Sequence, residues 1–109
     1  MADAVKVLAQ VDPSAATLTT AYTVPGATST VISTVLVANR SSTPTSFRIS
    51  VAVAGAADAN KQYLYYDIPI PGNETFAATL GVALATTDVL RVYATLATLS
   101  FNVFGVETT

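Results

Sequence analysis

Phe47-Arg48-Ile49-Ser50-Val51-Ala52-Val53-Ala54 decides the fold class of this chain. Phe47, Ile49, Val51 and Val53 recur at every second position, and Arg48, Ser50, Ala52 and Ala54 fill the places between. Side chains alternate across a β-strand with a period of two. The stretch is therefore expected to bury its Phe/Ile/Val face in a core and to leave the other face to solvent or a partner. The polar turn Arg40-Ser41-Ser42-Thr43-Pro44 precedes it. Before that turn, Val31-Ile32-Ser33-Thr34-Val35-Leu36-Val37 lies inside an apolar run from Thr30 to Asn39. That run is rich in β-branched residues and carries no helix caps, so it reads as a central strand.

The same reading extends to both ends. Val5 to Val11 forms a first strand, ended by Asp12-Pro13-Ser14, and Leu18 to Val24 a second. Pro25-Gly26 marks a turn, with Gly26 expected at the position that needs a positive φ. Gly55 to Asn60 is small and Ala-rich, either a loop or one helical turn. Tyr63 to Ile70 is a strand whose Pro69 lacks an N–H, which places its end at a sheet edge or outside the ladder. Phe76 to Leu80, Val82 to Ala85, Val89 to Thr95 and Leu99 to Val106 complete the set. Short strands with turn signals every 8–12 residues or so predict an all-β fold. We expect an antiparallel β-sandwich of about eight or nine strands, jelly-roll or Ig-like, with the strand order left open. A single domain over residues 1–109 is expected, with flexible ends at 1–4 and 107–109. Val5 to Val11 and Leu99 to Val106, the terminal strands, are candidates for a free edge that docks by strand addition.

Composition narrows the function. Hydrophobic residues make up 51% of the 109 and charged residues only 11%, and there is no His, Cys or Trp. Disulfides and thiolate metal sites are excluded. The five basic residues, Lys6, Arg40, Arg48, Lys61 and Arg91, are scattered, so no basic stripe for nucleic acid exists. Met1-Ala2-Asp3-Ala4-Val5-Lys6 lacks the pattern of a signal peptide, and no apolar run approaches the length of a transmembrane helix. So little charge on so apolar a chain points to a homo-oligomer or to docking on a larger surface. A structural or binding module is expected, not an enzyme, with no cofactor and no metal.

Individual candidates are few. Asp12, Asp58, Glu74 and Asp88 stand at turns, where a carboxylate commonly bonds nearby backbone N–H groups. A calcium site at Asp58-Ala59-Asn60 or Asp88 would need six to eight oxygens, and no dense Asp/Asn loop supplies them. In Tyr63-Leu64-Tyr65-Tyr66-Asp67, strict alternation puts Tyr63, Tyr65 and Asp67 on one face and Leu64, Tyr66 and Ile68 on the other. Tyr63 and Tyr65 would then form an interface anchor or a sugar-stacking platform, or simply cover the sheet. Arg48 and Arg91, mid-strand on outer faces, are interface candidates or solvated charges that discourage aggregation. Asn39-Arg40-Ser41 and Asn73-Glu74-Thr75 match the glycosylation pattern, which arises often by chance.

Three segments carry a resemblance. Asn39-Arg40-Ser41-Ser42-Thr43-Pro44-Thr45-Ser46-Phe47 continuing to Tyr63, Asp88-Val89-Leu90-Arg91-Val92-Tyr93-Ala94, and Leu99-Ser100-Phe101-Asn102-Val103-Phe104-Gly105 together resemble small β-sandwich virion structural proteins of tailed bacteriophages, cyanophage-like examples among them. Several such proteins are capsid cement (decoration) proteins, and others belong to the tail or baseplate. The resemblance implies a virion component assembled in the host cytoplasm, a homotrimer bound to the major capsid protein or another virion protein. It transfers no site residues, because the shared pattern is a scaffold. A tail, baseplate or fibre module and a carbohydrate-binding module using Tyr63 and Tyr65 stand as alternatives.

Overall fold

The computed structural model describes residues 2–109, so Met1 of the expected flexible N-terminal end lies outside it. Eight strands follow in order: β1 (Asp3–Val11), β2 (Thr19–Thr23), β3 (Ser29–Asn39), β4 (Thr45–Ala52), β5 (Tyr63–Ile70), β6 (Thr75–Leu84), β7 (Val89–Ala94) and β8 (Leu99–Thr108). They form two four-stranded sheets, β1-β8-β3-β6 and β2-β7-β4-β5. Every pairing is antiparallel. First pairs with last, second with seventh, third with sixth and fourth with fifth. The chain is thus one long hairpin rolled onto itself, and its members fall alternately into the two sheets. That order is a jelly roll, which settles the choice left open against the Ig-like alternative.

One discontinuity crosses the whole first sheet. Ile32 and Val35 are both fully buried, although an odd number of positions separates them. Register slips between Ile32 and Thr34 against β8, and between Val7 and Ala9 on β1. Against β6 the same point of β3 faces an extra residue, at Leu80-Gly81. These are β-bulges, which reset which residues point inward. β8 carries no extra residue and alternates without a break, burying Leu99, Phe101, Val103 and Gly105. Gly105 sits where the bulges converge. A Cβ there would lie 2.2 Å from the Val31 carbonyl oxygen and 2.9 Å from Leu8 Cδ1, so only glycine fits. The bulge also explains why Phe76 to Leu80 and Val82 to Ala85 read as separate strands: they are the two halves of β6.

The core joins the sheets through aromatic side chains at one end. Phe47 of β4 lies 5.2 Å from Phe76 of β6 and 6.2 Å from Phe101 of β8, ring centre to ring centre. Ile49, Leu90 and Val92 from the second sheet pack with Ile32, Val35, Val37 and Val103 from the first. The alternation that opens the sequence reading is kept only in part: Phe47 and Ile49 are fully buried and Val51 partly, but Ser50 and Ala52 of the opposite face are fully buried too. β4 ends at Ala52, and Val53 turns out to solvent in a 3₁₀ turn, Val53–Gly55. Asp88 and Arg91 hold that turn against β7: Ala54 N–H donates to Asp88 Oδ1 at 2.9 Å, and Arg91 donates to the Gly55 carbonyl at 3.2 Å. A second 3₁₀ turn, Asn60–Gln62, leads into β5.

Two other expectations change. Leu99 to Val106 is not an edge, because β8 lies between β1 and β3; of the terminal strands only β1 is free on one side. The chain ends are paired: Glu107 and Thr108 belong to β8, and Ala2 and Thr109 exchange backbone hydrogen bonds of 2.9 Å. In the Pro25-Gly26 turn the left-handed residue is Ala27 (φ 53°), not Gly26. Asn39, whose triplet matches the glycosylation pattern, is buried. Its amide donates to the carbonyls of Thr43 and Pro71, and its Oδ1 accepts from Ser41 N–H. Pro69 does stand on an edge strand, since β5 ends its sheet.

Gly105→Ala should lower stability by about 2–3 kcal/mol, because backbone and Leu8 must both shift. Gly26→Ala, with nothing within 4 Å of the added carbon, should change it by less than about 1 kcal/mol. Urea unfolding of the two variants checks the contrast, and equal midpoints would contradict it.

Candidate functional site

Bulges decide the outer face of the second sheet as well. Phe47 pairs with Ile68, yet Ile49 pairs with Tyr65, so Tyr66 and Asp67 together oppose Arg48. Asp67 adopts a left-handed backbone (φ 50°) to make this possible. A second slip follows, since Ser50 pairs with Tyr63 and Leu64 is the extra residue. Strict alternation therefore fails in this strand. Tyr65 does not share a face with Tyr63. It turns inward, 5.7 Å from Phe76 and 6.5 Å from Phe47, and belongs to the aromatic core. Tyr66 takes the outer place instead.

The result is a clamped cluster. Arg48 donates from Nε to Asp67 Oδ1 at 2.6 Å and from its terminal nitrogen to Asp67 Oδ2 at 3.3 Å. Its guanidinium carbon lies 4.2 Å from the Tyr66 ring centre and 4.4 Å from that of Tyr93 on β7. One cation is thus held by two aromatic rings and a two-pronged carboxylate. Asp67 raises the pKa of Arg48 further above its ordinary value. Tyr63 meets Tyr66 edge to face, ring centres 5.0 Å apart and planes at 87°. Burial, and then the neighbouring Asp58 carboxylate, raise the pKa of the Tyr63 hydroxyl. Yet Tyr66 remains 53% exposed. A cleft of about 420 Å³ lined by Asn60, Tyr63 and Tyr66 opens beside it. Of the four expected interface residues, the fold brings Arg48 and Tyr63 together, buries Tyr65 against the core, and uses Arg91 to tether the turn after β4.

A second feature is the outer face of the first sheet. Register aligns Val5, Val106, Val31 and Ala83 in one row across four strands. The next row begins with Val7 and Phe104. Val5 is 84% exposed, Val7 50% and Val31 45%. No charged residue lies in either row.

A third cluster bridges the sheets at the opposite end from the aromatic core. Lys6 of β1 pairs with Glu107 of β8 at 2.6 Å. The Tyr22 hydroxyl of β2 donates to Glu107 and lies 2.9 Å from Thr30 Oγ1 of β3. Burial, and then Glu107, push the Tyr22 pKa up to about 12. Lys6, and then Tyr22, hold the Glu107 carboxyl below the usual carboxylate range.

Among the described residues no group of three or more His, Cys, Asp or Glu gathers to hold a metal. Asp88, weighed above for calcium, spends its carboxylate on the N–H groups of Ala54 and Ala85. No helix of the described residues is long and apolar enough to cross a membrane.

No family model and no curated protein matches the chain. Among solved structures it is similar to two pentameric capsid proteins isolated from metagenomic phage sequences. One is 18% identical with a TM-score of 0.32, over 97% of this chain and 65% of that one. The other is 17% identical with a TM-score of 0.31, over 97% of this chain and 64% of that one. The chain thus spans less than two thirds of either, and TM-scores this low do not establish a shared fold.

Arg48→Ala should cost about 1–2 kcal/mol, from two exposed cation–π contacts and one surface ion pair. Arg48→Lys should recover less than half, because an ammonium neither stacks nor forks; urea midpoints of both variants read this. The inter-sheet cluster should give stability two pH limits. Tyr22 ionises later folded than unfolded, so its contribution is whole below pH 10 and is lost as pH rises toward 12. Glu107 is depressed, so its contribution is present above the usual carboxylate range and is lost as pH falls through its folded value. Unfolding midpoints across pH should show a weaker alkaline limb in Tyr22→Phe and a softer acid limb in Glu107→Gln.

Proposed function

We propose that this chain is a structural protein of a phage particle, a capsid decoration protein that binds the shell of major capsid protein and has no catalytic role. The observation that carries the reading is an uncharged apolar patch on the outer face of the first sheet, where Val5, Val7 and Val31 are open to solvent in adjacent rows. A contiguous apolar patch on so small a domain marks an interaction site. The resemblance of three segments to virion structural proteins of tailed phages supports the reading. So does the jelly-roll order, which recurs in viral capsid and lectin domains, although a fold alone assigns no function. Few charged residues and no His or Cys fit a scaffold better than an active site. Such a protein stabilises the shell by mass action, because it binds the assembled form.

The proposal includes a homotrimer, the state the resemblance implies. Light scattering of the purified protein reads it: three times the 11.2 kDa chain mass is expected. Five copies, the state of the two capsid proteins above, would replace the trimer. Gold-labelled antibody on particles of the phage that encodes the chain should mark the whole shell. Label confined to the tail tip would replace the decoration role with the tail or baseplate alternative. Val5→Glu and Val31→Glu, at exposed positions, should fold normally and lower the number of copies retained per particle. Unchanged retention would contradict docking through this face.

A further inference from the structure

We propose that the outer face of the second sheet holds a binding site for neutral, hexose-containing glycans in the cleft between Tyr63, Tyr66 and Asn60. The inference does not depend on the capsid reading.

Tyr66 packs on no core residue, yet its ring is fixed by Arg48 on one side and Tyr63 at right angles. Arg48 is in turn fixed by Asp67 and Tyr93. A large aromatic side chain, half exposed and held in one orientation, is preorganised for a ligand. The two perpendicular rings make a corner with a floor and a wall. Asn60, at the start of the 3₁₀ turn, adds an amide with both donors and an acceptor. The Tyr63 and Tyr66 hydroxyls add two groups that both donate and accept.

Charge and shape select the ligand class. Arg48 is neutralised by Asp67, and the residues that line the cleft, Asn60, Tyr63 and Tyr66, carry no cation; Lys61, next to Asn60 on the turn, lines a neighbouring pocket instead. A cation would be held between aromatic faces, but the cage formed by Tyr66 and Tyr93 already holds Arg48. What remains is an apolar ring surface edged with hydrogen-bonding groups. A pyranose presents the matching surfaces, an apolar C–H face with hydroxyls around its rim. The 420 Å³ of the cleft accommodates one or two sugar rings.

The test is a titration of the isotope-labelled protein, followed by backbone amide shifts, with glucose, galactose, N-acetylglucosamine and their short oligomers, and with glucuronate as the charged comparison. At least one neutral sugar should bind in the millimolar range, with shifts centred on residues 58–67. Tyr66→Ala should weaken that binding by about tenfold or more, in line with loss of a central aromatic anchor. Asn60→Ala, on the turn and outside the Arg48 clamp, is the second variant and should weaken it with the fold intact. Absence of shifts for every neutral sugar would overturn the proposal. So would shifts elsewhere on the protein, binding that survives both substitutions, or a preference for glucuronate.

Discussion

A pleated strand cannot bury Ile32 and Val35 on the same side unless its alternation is broken between them. The structure makes that break at one level in three of the four strands of the first sheet, at Leu8, Ser33 and Leu80-Gly81, while β8 runs through unbroken with Gly105 at the crossing point. The rest of the sheet depends on this constraint. On one side of the break β3 sends Thr30 and Ile32 inward, and on the other side Val35, Val37 and Asn39. Without it, one half of the sheet would present its apolar set to solvent. Gly105 is the enabling residue, since any side chain there meets the Val31 backbone and Leu8.

The same device shapes both outer faces. Beyond the break, Val5, Val31 and Val106 are left on the outside of the first sheet, where the pleat has nothing to pack them against. In β5 the paired bulge residues Tyr66 and Asp67 both reach Arg48, and Tyr65 is driven into the core. One sandwich therefore carries two unlike surface patches: an apolar valine patch and a polar aromatic cluster with fixed geometry. The first suits a broad contact with another protein, and the second suits a small ligand. At the sandwich ends, aromatic packing around Phe47 and the Lys6–Glu107–Tyr22 bridge close the two sheets on each other.

Strand positions were legible in the sequence because β-branched runs and turn residues report local preference directly. Tyr63–Ile70 stands at the expected boundaries, and β1, β2, β3, β7 and β8 differ from expectation by a few residues at their ends. Sheet order was not legible, because pairing of β1 with β8 is a contact between chain ends that no local pattern encodes. The cluster was legible in part of its membership and not in its geometry. Arg48 stands out as a cation in mid-strand opposite the apolar face, and Tyr63 as an aromatic in a strand that Pro69 marks for an edge. The exchange of Tyr65 for Tyr66 follows from a bulge whose one signal is Asp67, a residue type that tolerates the left-handed conformation. Tyr93 was missed because it lies three strands away in sequence and reaches the cluster only through the pairing of β7 with β4.

The central claim is that the apolar outer face of the first sheet is covered in the assembled particle while the aromatic face of the second stays open. Hydrogen exchange of the chain, free and on the intact particle, tests it most directly. The account predicts strong added protection along β1, the exposed edge that carries Val5 and Val7, with little change in β5. Equal exchange of β1 in both states, or protection confined to β5, would contradict it.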